Sequence, residues 1–421
     1  WQIQSKSYYM YAILAIVSVI MLIQVIRRHY YYLLFTSILL FFGSGLYMLS
    51  YYQKIEILGF AIFPADMIGI LFPAKILVDY FRGLLKLSYK QKRLLYLSFA
   101  YIIYVIINLL RFIYTVDYTV ILRAVSYEWI YISILLSFAI YIKNKNDLKL
   151  IFDVTVYSSI VLGILLLVND YSVISLYDYA RLTTTHKGFL FFFPLIIVLF
   201  DKHRYKYIQY PVVLISVIHL FTTTKRSIFI GIAIALLYLL YKNNIFKSKK
   251  LIISIIGLTP IIYFNKFLNE FISFYYNYLH SRFVILQNVE DGTSGRRLIS
   301  YKNSLQVFYD NILFGNIHDL YYGDYTYTLI KVLHSMPLEK LCIYGVFGVL
   351  LLSSIFLQTI SVNKINQNKY LDEKKVVNAL ILFSIPVMIL NTSWISIYPY
   401  AFLGMLFSIN INVKNNNSQL N

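Results

Sequence analysis

One histidine and a few arginines are the residue types with which so apolar a chain can do chemistry. His334 stands in "HSMPLEKLCIYGVFG", shortly before Pro337 and ahead of an apolar run that holds Gly345 and Gly348. A histidine within hydrogen-bond reach of a hydroxyl can take its proton as the oxygen forms a new bond. Lys225 and Arg226 in "TTTKRSIFIGIAIALL", and Arg296 and Arg297 in "EDGTSGRRLISYKNSLQVF", stand where helices are predicted to start. Unpaired backbone N–H groups and the positive end of the helix dipole favour an anion there. Arginine suits phosphate because its planar fork donates two parallel hydrogen bonds and stays charged when partly desolvated. The chemistry indicated is therefore anion binding combined with a base. Ordinary alternatives exist for each residue: Glu290 and Asp291 stand close enough in sequence to pair with Arg296 and Arg297, and a histidine beside a membrane helix is commonly interfacial. No GxxxxGK[ST] is present, so neither stretch is a nucleotide P-loop.

The elements that must position these residues are membrane helices. The 421 residues are 59% hydrophobic and only 14% charged, with a mean hydropathy of +0.66. Apolar runs about as long as a bilayer is thick recur at 8–26, 30–50, 55–81, 94–114, 119–142, 150–168, 187–200, 208–223, 227–241, 251–264, 337–360, 376–390 and 393–413. This predicts an all-α, polytopic membrane bundle of 12–13 transmembrane helices, with 1–421 as a single transmembrane domain. Arg27-Arg28-His29; Arg82 to Arg93; Lys143, Lys145 and Lys149; Lys202, Arg204 and Lys206; Lys242 to Lys250; and Lys364 to Lys375 occupy every second connection. By the positive-inside rule those connections are cytoplasmic. The net charge of +19 is thus a membrane-topology signal rather than a nucleic-acid footprint. The single cysteine, Cys342, reads as a small buried hydrophobe.

The remaining connections face outward: around Lys54, around Asp117, 169–186, 222–226, 265–336 and 391–392. Only 265–336 is large, and loops of that length usually carry function or helices of their own. Within it Leu298, Tyr301, Leu305 and Phe308 recur at helical spacing against Lys302, Asn303, Ser304 and Gln306. That pattern predicts an amphipathic helix over 296–309 at the membrane surface. Arg111, Arg123, Arg181, His186 and Lys187 join the outer cations. Any one of them is explained by pairing with Glu128, Asp170 or Asp178, or by snorkelling to headgroups; as a group they suggest an outer anion site.

In "GNIHDLYYGDY", His318, Asp319, Tyr321 and Tyr322 form a polar and aromatic cluster. Interfacial anchoring is the plain alternative for the tyrosines. One histidine with two irregularly spaced aspartates, Asp319 and Asp324, does not make a metal site, and no metal or cofactor is expected. Gly345 and Gly348 read as a close-packing face, Glu339 and Lys340 as a local pair, and Asp66 between Pro64 and Pro73 as a hint of a broken helix.

These pieces in this order resemble the superfamily of bacterial O-antigen ligases and Wzy-type polysaccharide polymerases. His334-Ser335, nine residues, Gly345, two residues and Gly348 match its pattern of His with Asn, Ser or Gln, nine residues and GxxG. "SGRRLISYKNSLQVFYDNILFG" is similar to its Gly-Arg, helix and Gly-ended segment, and "TTTKRS" to its Thr/Ser-rich stretch with an arginine at the outer end of a span. Val349 stands where the ligase form often has threonine, which leans toward a polymerase. The resemblance covers residues 222–350, and the N-terminal half by topology. It implies a metal-independent GT-C glycosyltransferase of the bacterial inner membrane, multi-pass, with its active site on the periplasmic or extracellular side. The donor and acceptor would be undecaprenyl-diphosphate-linked oligosaccharides, with a chain-length regulator protein as a further partner and the bilayer as surroundings. In that setting His334 would be the base, Arg226 and Arg296 the diphosphate ligands, and Arg123, Arg297 and Lys225 further cations behind them, while His318, Asp319, Tyr321 and Tyr322 would touch sugar, since tyrosine faces can stack on pyranose rings. The leaving group is a diphosphate, so arginines can stand in for a divalent cation.

A flippase of lipid-linked sugars would place ionisable residues near the bilayer midplane and break matching helices in two halves. Glu128 and His219 are the main central exceptions in otherwise uncharged spans, and the reactive types gather at one face. A scaffold protein would leave the outer arginines and His334 unexplained.

Overall fold

The caps that start the helices are short polar stretches between apolar runs. Ser88 and Gln91 form a capping box, each side chain meeting the other's backbone N–H, so Tyr89–Leu110 begins where the apolar run emerges from "SYKQKR". The Asp117 carboxylate accepts the Thr119 N–H at 2.8 Å and starts Tyr118–Tyr141. Asn144 and Asp147 do the same for Lys145–Ser172, where the Asp147 N–H donates to the Asn144 side chain at 3.0 Å.

The computed structural model describes residues 20–43, 55–57, 60–62, 64–172, 177–201, 203–221, 226–242, 293–322, 335–360, 371–390 and 397–415. At Arg226, 293–300 and 321–322 the description is of the backbone. In chain order the helices are α1 (His29–Ser37), α2 (Met67–Phe81), α3 (Tyr89–Leu110), α4 (Tyr118–Tyr141), α5 (Lys145–Ser172), α6 (Tyr177–Phe200), α7 (Gln209–Phe221), α8 (Arg226–Lys242), α9 (Thr293–Asp310), α10 (Ile317–Tyr322), α11 (Met336–Ile360), α12 (Leu371–Leu390) and α13 (Ile397–Asn415). Among the described residues α3, α4, α5 and α11 are long and apolar enough to cross a membrane, and shorter apolar helices accompany them. The chain is an α-helical, multi-pass membrane protein. The expected span at 251–264 and most of that at 8–26 lie outside the described residues.

Three expectations are corrected. The run 55–81 is not one span: β1 (Ile55–Ile57) and β2 (Phe60–Ile62) pair antiparallel with Ile57 opposite Phe60, a tight turn covers Pro64–Asp66, and only then does α2 begin. Pro64 supplies no N–H, so it sits where a helix can start but not continue. The outer connection expected over 169–186 is mostly helical, because α5 runs to Ser172 and α6 starts at Tyr177, which puts Arg181, His186 and Lys187 on α6. Charge also enters α2, where Lys75 and Asp79 form a buried pair at 2.7 Å with the ammonium 5.3 Å from the Tyr141 ring centre.

α13 packs on α4, α4 on α2 and α3, α11 on α3 and α13, and α12 on α8 and α13, while α6, α5 and α7 pack on one another. Between them lies an aromatic core in which Phe189 stacks on Tyr398 at 5.0 Å and Phe41 and Phe402 tilt against Phe193 at 5.3 and 5.1 Å. His219 belongs to this interior: its ring stacks on Phe191 at 4.1 Å and its Nε2 donates to the Gly163 carbonyl at 3.0 Å. At the connections read as cytoplasmic, Lys145 meets Glu373 at 2.7 Å and the Arg204 guanidinium grips Asp153.

The helix expected over 296–309 exists as α9, with a different face inward. Ser304 and Val307 are buried against α11, whereas Leu305 and Tyr309 point out. The small serine lets two backbones approach, and in a membrane protein the apolar side chains find lipid rather than protein.

Candidate functional site

Site geometry starts from a break in α11. Its first turn is opened by the Ser335 carbonyl, which accepts the Glu339 N–H at 3.0 Å. Nine residues into the helix Gly345 adopts φ +64, ψ −170, a backbone region open essentially to glycine alone. Such a break frees carbonyls and amides that have no water to meet at membrane depth, so each needs a protein partner. The Cys342 carbonyl accepts the Asn316 N–H at 2.7 Å, that of Ile343 accepts the Asn108 side-chain amide at 3.1 Å, and that of Tyr344 accepts the Tyr104 hydroxyl at 2.6 Å. Beyond the break, the N–H groups of Val346 and Phe347 donate to the carbonyls of Ile312 and Leu313 at 2.8 and 3.2 Å.

The segment that supplies these partners, 311–316, leaves α9 through Gly315, also at positive φ, +67. A Cβ on Gly315 would run into the backbone of Cys342 to Gly345, and one on Gly345 into the backbone of Leu313 and Phe314. Two glycines thus face each other across one backbone seam. A Cβ on Gly348 would run into the Tyr344 Cβ and the Tyr104 ring. The seam is fastened from α3, where Asn108 also donates to the Phe314 carbonyl at 2.9 Å and its oxygen accepts from Arg111 at 2.8 Å. The Arg111 guanidinium lies 5.4 Å from the Phe314 ring centre.

On the N-terminal side of the break, Lys340 does not pair with Glu339. Neighbours in a helix point about 100° apart and do not face each other. Lys340 instead forms a buried ion pair with Glu128 of α4. The Tyr101 hydroxyl donates to Glu128 Oε2 at 2.8 Å and that of Tyr344 to Oε1 at 3.3 Å. The Lys340 ammonium lies 5.7 and 5.5 Å from the ring centres of Tyr131 and Tyr344. Glu128 is therefore engaged by Lys340.

The residues singled out in the sequence fall as follows. His334 and Lys225 lie outside the described residues, as do Glu290, Asp291 and Asp324. Arg226 is the first residue of α8, and Arg296 and Arg297 lie in the first turns of α9, as their sequence context predicts. Arg123 is exposed on α4. His318 and Asp319 stand half-exposed at the start of α10, with Tyr321 and Tyr322 on its last turn. The Asp319 carboxylate accepts from the Asn316 side-chain amide at 2.7 Å and faces His318 Nδ1 at 3.3 Å, while the Asp319 N–H donates to the Asn316 side-chain oxygen at 3.1 Å, so Asn316 caps α10 and Asp319 is held in its first turn. α9, which carries Arg296 and Arg297, and α10, which carries His318 and Asp319, both pack on α11. α8 packs on α12 and α6, and α4 on α3, α13 and α2, so Arg226 and Arg123 sit on other elements.

Sequence reasoning missed Asn108, Tyr104 and Tyr101. A lone asparagine inside "YIIYVIINLL" was the available signal, because a polar amide in a span needs a partner.

A bundle of membrane helices, one of them broken at Gly345 and repaired by the backbone of 312–316, defines a multi-pass membrane protein. Residues 211–353 match the family model described as O-antigen ligase. The match runs from α7 through α11 and takes in Arg226, Arg296, Arg297, both seam glycines and His334. No curated protein matches the chain.

Proposed function

We propose that the protein is a glycosyltransferase that moves a glycan from a polyprenyl diphosphate to a sugar hydroxyl of an acceptor at the outer face of the bacterial inner membrane. The observation that carries this reading is the coincidence of the O-antigen ligase match, residues 211–353, with the seam at Gly315 and Gly345 on the stretch that also holds the outer arginines. In the transfer, a lone pair of the acceptor oxygen forms the bond to the anomeric carbon. The bond from that carbon to the diphosphate oxygen breaks with its electron pair, inverting the centre. The acceptor proton passes to His334, and Arg226 and Arg296 neutralise the departing diphosphate, with Arg123, Arg297 and Lys225 adding positive potential. His318, Asp319, Tyr321 and Tyr322 contact the sugars.

The acceptor divides two versions of this reaction. Val349 after the second glycine supports a polymerase that extends lipid-linked repeat units, while the description of the matching family supports a ligase acting on a lipid core or protein. The test is extension of a polyprenyl-diphosphate-linked repeat unit by purified protein in detergent with a chelator present. A ladder from the wild type, absent for His334→Ala and Arg226→Ala, is the expected result. Movement of the lipid-linked unit across liposomes without transfer would sink the enzyme reading in favour of a flippase.

A further inference from the structure

The break at Gly345 separates residues 336–344 from the rest of α11, so helix continuity does not fix the direction of this outer segment. Its attachment falls to side chains and to the seam. On one side Cys342 Sγ meets the Ser304 carbonyl of α9 at 3.1 Å. On the other, the Lys340–Glu128 pair joins the segment to α4, with Tyr101 and Tyr344 also donating to the carboxylate. Two charges inside a membrane bundle are a costly way to hold helices together, and apolar contact would serve as well for stability alone. An ion pair with fixed donors differs from apolar contact in being directional, whereas hydrophobic contact lets surfaces slide.

We propose that Glu128 and Lys340 are positioning residues for the transfer: they hold the outer segment of α11, which the chain enters directly from His334 and Ser335, at one orientation against α4. This rests on the function proposed above. The pair touches no reacting atom; it acts through the segment it orients.

The experiment compares full-length wild type with Glu128→Gln/Lys340→Met, which removes both charges at similar volume, and with Lys340→Arg, which keeps the charge but moves it. Transfer kinetics, unfolding temperature and amide hydrogen exchange are measured on each. The double variant is expected to unfold near the wild-type temperature while kcat falls about 100-fold, the loss that a displacement of about 1 Å produces. KM for the lipid-linked donor stays unchanged, and amides of 336–344 exchange faster while those of 347–360 keep their protection. Lys340→Arg is expected to lose a smaller share of kcat at unchanged KM, and it carries the test alone if the double variant does not fold. Wild-type kcat in whichever variants fold, or unchanged exchange over 336–344, overturns the proposal. A wild type that transfers nothing overturns the functional reading itself, and the positioning role with it, before any variant is compared.

Discussion

Gly345 and Gly315 are opposed across a seam too narrow for a side chain on either, and both hold backbone angles that other residues avoid. Gly345→Ala is therefore expected to cost about 1–3 kcal/mol in strain, plus whatever displacement of Leu313 and Phe314 adds. A lowered unfolding temperature in detergent reads this out. Asn108→Leu keeps the volume but leaves the Ile343 carbonyl without its side-chain donor. Its expected cost is about 1–2 kcal/mol, checked by the same melting curves. Gly345 and Gly348 were legible as a spacing, but the break at Gly345 was not: hydropathy averages over many residues, and one dihedral leaves no trace in it. Lys340 was misread for a related reason, since adjacency in sequence says nothing of a carboxylate 212 positions away.

At the scale of elements, the expected spans 94–114, 119–142 and 337–360 correspond to α3, α4 and α11 within a few residues, because apolar length and polar caps are both local signals. The hairpin at β1 and β2 and the helical continuation into 177–186 are not local in that sense; they depend on what the chain packs against. The facing of α9 shows the limit well. Periodicity located the helix, yet its buried side is the one with Ser304. Ser304→Leu is accordingly expected to destabilise the protein by about 1–3 kcal/mol through overpacking against α11, while Leu305→Ser changes its stability in detergent little. Thermal unfolding of the two variants side by side separates them.

The cap of α4 gives a pH signature. The Thr119 backbone N–H, then its hydroxyl, holds the Asp117 carboxyl below the usual carboxylate range. Its folded value is the lower one, so its stabilisation is fully present above the unfolded value of about 4 and disappears as pH falls through the folded value. Asp117→Ala should therefore lower the unfolding temperature at pH 6 and leave it unchanged once the pH lies below the folded value.

For the whole molecule, the alternation of basic connections sets a topology that a single cysteine makes easy to test. In a Cys342→Ala background, Tyr114→Cys, 98% exposed after α3, should react with an impermeant maleimide on intact spheroplasts, whereas Tyr207→Cys, 89% exposed before α7, should react only after permeabilisation. Labelling of both from one side would overturn the helix count between them. The stretch that matches the O-antigen ligase model was legible in the order of its motifs. What joins it, a seam between the outer loop and a broken helix fastened by α3, was not, because it is built from backbone groups that every sequence possesses. That seam also bears on how the protein is made. α11 leaves the ribosome with carbonyls and amides that it cannot satisfy itself, yet Tyr104, Asn108 and the 312–316 backbone are all synthesised before it. The chain thus reaches the membrane with its acceptors and donors already waiting, and a circular permutant that delivers α11 first would have to hold an unsealed helix in lipid until its partners arrive.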